Sequence, residues 1–275
     1  MKKETALNFL LFSYFGITLE DDAETLVSAA ISRAYIDMAS HVLIFDFEKC
    51  VKTNKDKEII RYIYRKKGSE CLRKGLIEQI HDFRKWHYGL AVQIENVYAQ
   101  ELKYGKQKVC KKVNIPFGMA QKWINMTVKY IFILDTIISD ANQKDSALKD
   151  ICKKINNIEL LRVPDIPVDD YIIKAACDNQ VAIPRKSEDE EYYYDKKIKS
   201  GYYNKLPWSS WNWTDVDKKN CRYYEEFQEE LKSKSGDAFV LDYENELWIE
   251  EAKKRRNKEI DSRNKLIEEL YKERS

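Results

Sequence analysis

Eight glycines and five prolines in 275 residues leave long stretches in which apolar side chains recur every three to four positions. That combination predicts an almost wholly helical, all-α chain. "DDAETLVSAAISRAYIDMASHVLIF" opens with acidic residues suited to a helix N-terminus and then sets Leu26, Ala29, Ala30, Ala34 and Met38 on one stripe, the pattern of a core helix. "KEIIRYIYRKK", "CLRKGLIEQIHDFRKW" and "YGLAVQIENVYAQELKYG" predict further helices, with breaks near Gly68 and Gly89. A basic helix is expected to lead into "KKVNIPFGMAQKW", and "GMAQKWINMTVKYIFIL" continues as an apolar helix carrying Lys122 and Lys129. No β-hairpin signal and no internal repeat stands out. In "VPDIPVDDYIIKAAC", Pro164 and Pro167 forbid a continuous helix and Asp169 occupies an N-cap position ahead of Tyr171. Residues 186–200 read as an exposed loop, "NCRYYEEFQEELKSK" as a helix, and the chain from about Glu244 as a charged final helix.

Charge and cysteine usage narrow the function classes. Lys and Arg number 48 against 46 Asp and Glu, so a nucleic-acid surface has to come from local segregation of charge rather than from net charge. Six cysteines stand tens of residues apart with no C-x-x-C pair, and three histidines are too few for a histidine-rich metal site. This predicts reduced, mostly buried thiols in a cytoplasmic protein with no metal and no organic cofactor. The opening "MKKETALNFLLFSYFG" has no small-residue cleavage site after it and Asn8 interrupts its apolar run, so it reads as an amphipathic helix. No run approaches the length of a membrane span, since Asp135 breaks the longest candidate.

Between residues 102 and 129 stand Lys103, Lys106, Lys108, Lys111, Lys112, Lys122 and Lys129 with no acidic residue among them. Two readings are open: a phosphate-facing surface, or a solvated lysine face. The turn through Asn114, Ile115, Pro116, Phe117 and Gly118 outlines a helix-hairpin-helix, whose backbone N–H groups and helix N-terminus can meet a DNA phosphate. DNA contacts are accordingly assigned to Phe117, Gly118, Met119, Ala120 and Gln121, with Lys111 and Lys112. Lys122 lies among Trp123, Ile124 and Met126. It is either a snorkelling lysine or a desolvated amine able to attack an electrophilic carbon as a Schiff-base nucleophile. Lys129 follows two turns and roughly 10 Å further along the helix. Asp169 is either an ordinary N-cap or a fixed anion for an oxocarbenium-like sugar.

"IPFGMAQKWINMTVKY" followed by "VPDIPVDDYIIKAA" resembles the helix-hairpin-helix DNA glycosylases, most closely the archaeal-type 8-oxoguanine DNA glycosylases with AP lyase activity. The resemblance covers roughly residues 110–180. Ala120 stands where the family's hairpin has a second glycine, and the longer interval from Lys122 to Asp169 implies an inserted helix around residues 140–160. The likeness implies a helical glycosylase-like fold in which Lys122 is the nucleophile, Asp169 its catalytic partner and Lys129 an assistant. The partner would be DNA carrying an oxidised or otherwise modified base, in repair or in defence against phage DNA with hypermodified bases. Residues 1–275 form one such unit, or two lobes, 1–100 with 200–275 and 101–185.

Competing readings are a non-catalytic helix-hairpin-helix module that binds DNA or a protein partner, and an RNA-cleaving helical protein using Arg84 and His87. Trp208, Trp211, Trp213 and the run Tyr192, Tyr193, Tyr194 are candidates either for a flipped-base pocket or for core anchors.

Overall fold

A computed structural model describes residues 1–39, 46–47, 53–77, 80, 82–100, 102–104, 107–109, 111–112, 115, 117–142, 145–156, 164–179 and 218–272. In these the fold is all-helical in class: α1 (Lys3–Phe15), α2 (Ala23–Ala39), α3 (Asn54–Ile77), α4 (Phe83–Ala99), α5 (Phe117–Asn142), α6 (Lys149–Ile155), α7 (Asp170–Asp178), α8 (Lys218–Ser235) and α9 (Val240–Lys272). Two antiparallel ribbons interrupt them. β1 (Asp46–Phe47) pairs with β4 (Lys111–Lys112), and β2 (Leu102–Tyr104) pairs with β3 (Gln107–Val109). The chain divides into two compact units, one running to Pro167 and holding α1–α6, the other starting at Val168 and holding α7–α9. This differs from the two-lobe division drawn from sequence, because α5 packs with α2 and α4 and so belongs with the N-terminal helices.

In the first unit α5 is the central element, buried from Phe117 to Ile131. A helix stretch buried on every side is a core helix, here one that also encloses polar side chains such as Gln121 and Asn125. Trp123, fully buried, ties three neighbours to it: its indole N–H donates to the Ile31 carbonyl of α2 at 3.1 Å and its ring meets Tyr35 edge-on at 5.1 Å. The same ring lies against Gly68 of α3, where an added Cβ would sit 2.6 Å from Cζ3. Gly68 therefore does not break a helix: α3 passes straight through it because the absent side chain lets Trp123 in. Gly89 is likewise inside α4, and the break falls before Asp82, whose carboxylate accepts from Lys85 N–H at 3.1 Å as the α4 N-cap. Gly68→Ala is expected to cost about 1–3 kcal/mol in urea unfolding. In a Trp123→Phe background, which lacks the offending ring atoms, most of that cost should disappear.

The predicted stripe of α2 holds, with Leu26, Ala29, Ala30, Ala34 and Met38 all buried and Asp22 capping the helix through Thr25 N–H at 2.8 Å. α1 forms, ending on Gly16 in the left-handed region (φ 75°), but it does not segregate its faces. Leu11 is buried while Phe9, Leu10 and Phe12 are exposed. Its end is held instead by Tyr14, whose hydroxyl meets that of Tyr130 at 3.2 Å and whose ring lies under Arg33 at 4.0 Å.

The second unit is held by a charged clasp. Fully buried Glu251 of α9 accepts from Lys174 of α7 and from Arg255 Nε at 2.8 Å, while Tyr171 stacks on Trp248 at 5.2 Å. Burial pushes the Glu251 carboxyl up, but the hydrogen bonds from Arg255 and Lys174 outweigh it and hold the group below its ordinary 4.5. A carboxyl lowered on folding contributes stability above its unfolded value and loses it as pH falls through the folded one. Glu251→Gln should thus cost about 2 kcal/mol at neutral pH. The gap to the unaltered chain should close as urea titrations are repeated at pH values progressively below 4.5.

Candidate functional site

Lys122 and Lys129 are both on α5 and both buried, at 8% and 7% exposure. This removes the solvated-face reading for these two residues. Lysine is almost never buried without a specific reason, because desolvating an ammonium is costly. On the same helix as Lys122 the buried polar groups form a directed chain. Asn125 Nδ2 donates to Gln121 Oε1 at 2.9 Å and to the Ile166 carbonyl at 3.2 Å, and Gln121 Nε2 donates to the Gly118 carbonyl at 2.8 Å. With both amide donors so committed, Asn125 Oδ1 is an acceptor, and His87 Nε2, 3.0 Å away, carries the proton. Asp165, 1% exposed, accepts from Arg84 NH1 at 2.8 Å. The loop that follows Pro164 is therefore pinned twice, by its side chain to α4 and by its backbone to α5.

That loop leads into the second unit, where Asp169 does what its position predicted. Its Oδ1 accepts from the N–H groups of Tyr171 at 2.9 Å and Ile172 at 3.0 Å, capping α7. It is half-buried. The expected inserted helix between Lys122 and Asp169 is α6, at Lys149–Ile155.

Other expectations are corrected. The basic helix ahead of the turn is absent: Lys103, Lys108, Lys111 and Lys112 are strand residues of β2, β3 and β4. Among the described residues the first helix of a helix-hairpin-helix is therefore not present there, and no hairpin signal in the residue pattern marks the ribbons that replace it. Phe117, Met119, Ala120 and Gln121 are buried to 2% exposure or less, and Gly118 is buried too, so the start of α5 is core rather than a phosphate-facing edge. The cause is α4, whose His87 ring meets Phe117 edge-on at 6.0 Å and stacks on Phe83 at 5.9 Å. His87 and Arg84, the pair of the RNA-cleaving reading, are placed by the same packing, with His87 1% exposed and Arg84 paired with Asp165.

Among the described residues no three His, Cys, Asp or Glu side chains are grouped to hold a metal ion. The described thiols, Cys71 and Cys152, are free, and burial pushes both up, away from thiolate chemistry. No helix among the described residues is long and apolar enough to cross a membrane. Residues 186–200, the Tyr192–Tyr194 run and Trp208, Trp211 and Trp213 lie outside the described residues.

No protein-family model, curated protein or solved structure matches this chain. Its functional reading therefore rests on its own residues. Sequence reasoning missed Asn125 and Asp165. The available signal was the spacing of Gln121 and Asn125, four apart on an otherwise apolar helix, which places two amides on one face.

Proposed function

We propose that the protein is a DNA glycosylase with AP lyase activity, excising an oxidised or otherwise modified base through Lys122. The supporting observation is the burial of Lys122 and Lys129 in the central helix of a mainly helical unit, the same helix that carries the Gln121–Asn125 amide network. The Lys122 amine attacks C1′ of an extruded nucleotide. The C1′–N bond breaks, its electron pair leaves with the base, and a proton neutralises the base anion. The ammonium proton passes to O4′ as the C1′–O4′ bond breaks, which opens the sugar ring and leaves an iminium between C1′ and Nζ. Abstraction of a C2′ proton then expels the 3′ phosphate by β-elimination. Lys129 assists at the amine.

The test is trapping. Duplexes and single strands bearing a panel of oxidised, alkylated, deaminated and hypermodified bases are incubated with the protein and borohydride. A covalent adduct, lost in Lys122→Met, is expected. Neither adduct nor abasic product across the panel would overturn the reading in favour of a non-catalytic binding module.

A further inference from the structure

The last helix runs on well past the unit it belongs to. Glu251 and Arg255 are its last residues in the clasp with α7, and from Arg256 to Tyr271 every residue is exposed. At 1.5 Å per residue this is a projection of roughly 24 Å. A solitary helix of that length is marginal in water. Pairs four residues apart, Arg263 with Glu259 and Lys265 with Glu269, support it on its own surface. They do not account for its apolar residues. Ile260 is 45% exposed, Ile267 50% and Leu270 56%.

These residues have an order. Ile260 and Ile267 are one heptad apart, and so are Asn257, Asn264 and Tyr271. With the isoleucines at d, the asparagines and Tyr271 fall at a, Arg256 and Arg263 at g, and Asp261 and Glu268 at e. In a parallel pair of identical helices each g position faces the e position five residues on in the other copy. Arg256 would then meet Asp261, and Arg263 would meet Glu268, so both flanking contacts are of opposite charge. Orientation is decided by the asparagines. In an antiparallel pair a packs on d, which would set the Asn264 amide against Ile267, whereas a parallel pair sets Asn264 against Asn264, where two amides satisfy one another. Leu270, at g, widens the seam beside Ile267.

We infer that the segment Arg256–Tyr271 of α9 is a parallel homodimerisation helix whose occupant is the same segment of a second copy. The pairing is short, so it forms in the micromolar range rather than below it and depends on each charge pair. Nothing in it depends on the catalytic reading, and its test reads mass alone.

Sedimentation equilibrium of the full chain over a concentration series should show the mass rise to twice 32.7 kDa. Ile260→Glu with Ile267→Glu should hold it at the single-chain mass. Arg263→Glu and Glu268→Arg should each weaken association about tenfold or more, and an equimolar mixture of the two should restore it. Asn264→Cys should give a disulfide-linked dimer under mild oxidation that the unaltered chain, with no cysteine in α9, does not give. A full chain that stays monomeric at 100 µM, or a dimer indifferent to the isoleucine substitutions, would overturn the proposal, and a dimer without the Asn264→Cys crosslink would overturn its parallel orientation.

Discussion

Lys122→Met is expected to abolish the borohydride adduct and to slow base release by about a thousandfold or more, the scale on which enzymes lose activity when a nucleophile is removed. Methionine is the informative substitution because Lys122 is buried. Alanine would leave a void the length of the lysine stem and confuse loss of chemistry with loss of packing. Methionine keeps a flexible chain of similar length and removes only the amine. A circular-dichroism melt close to that of the unaltered protein, together with complete loss of the adduct, assigns the amine a chemical role. Lys129→Met separates the two lysines. If Lys129 assists and does not itself attack, its variant still traps, about 10–100-fold more slowly, as befits loss of a proton-transfer or electrostatic partner. Equal trapping by Lys122→Met and the unaltered chain would exclude Lys122 as the nucleophile and point to another amine.

What could be read from sequence was what local chemistry decides. The apolar stripe of α2, the cap at Asp169 and the short helix at Lys149–Ile155 all follow from spacing, from side-chain oxygen at an N-terminus and from the length of the interval between motifs. What was misread depends on which surfaces meet. Gly68 reads as a breaker until the ring of Trp123 is found beside it, a residue 55 positions away in the chain that no local window contains. The lysines of β2, β3 and β4 look like a helix face because lysine has no strong strand signature and the ribbons are only two or three residues long. Phe117–Gln121 look like an exposed turn because Gly118 and the proline before them are turn residues, yet α4 closes over them. Lys122 was legible as an anomaly and not as a buried residue. Its identity shows the charge, and only the packing of α5 shows that the charge is enclosed.

Asn125→Asp should be the most destabilising of the conservative substitutions, at about 3–5 kcal/mol in urea unfolding. The change preserves shape and replaces two donors by an acceptor. The atoms facing it, Gln121 Oε1 and the Ile166 carbonyl, are acceptors as well, and the site is fully buried. The new carboxylate must either stay charged against two oxygens or take up a proton and recover one of the two lost hydrogen bonds. Stability relative to the unaltered chain should therefore improve as the pH is lowered, here because the new carboxyl itself takes up a proton, whereas at Glu251 the gap closes because the unaltered chain loses a contribution. Asn125→Leu lacks that acid recovery, and by taking one partner from each of three buried groups it should cost about 2–4 kcal/mol at every pH. Both variants also release the backbone of Ile166 from the helix that carries Lys122. Well below their melting transitions they should trap DNA more slowly than the unaltered protein, whereas Gly68→Ala, which disturbs the far side of α5, should not. A trapping rate unchanged in Asn125→Leu would show that the loop's second anchor, Arg84 on Asp165, is enough to hold it.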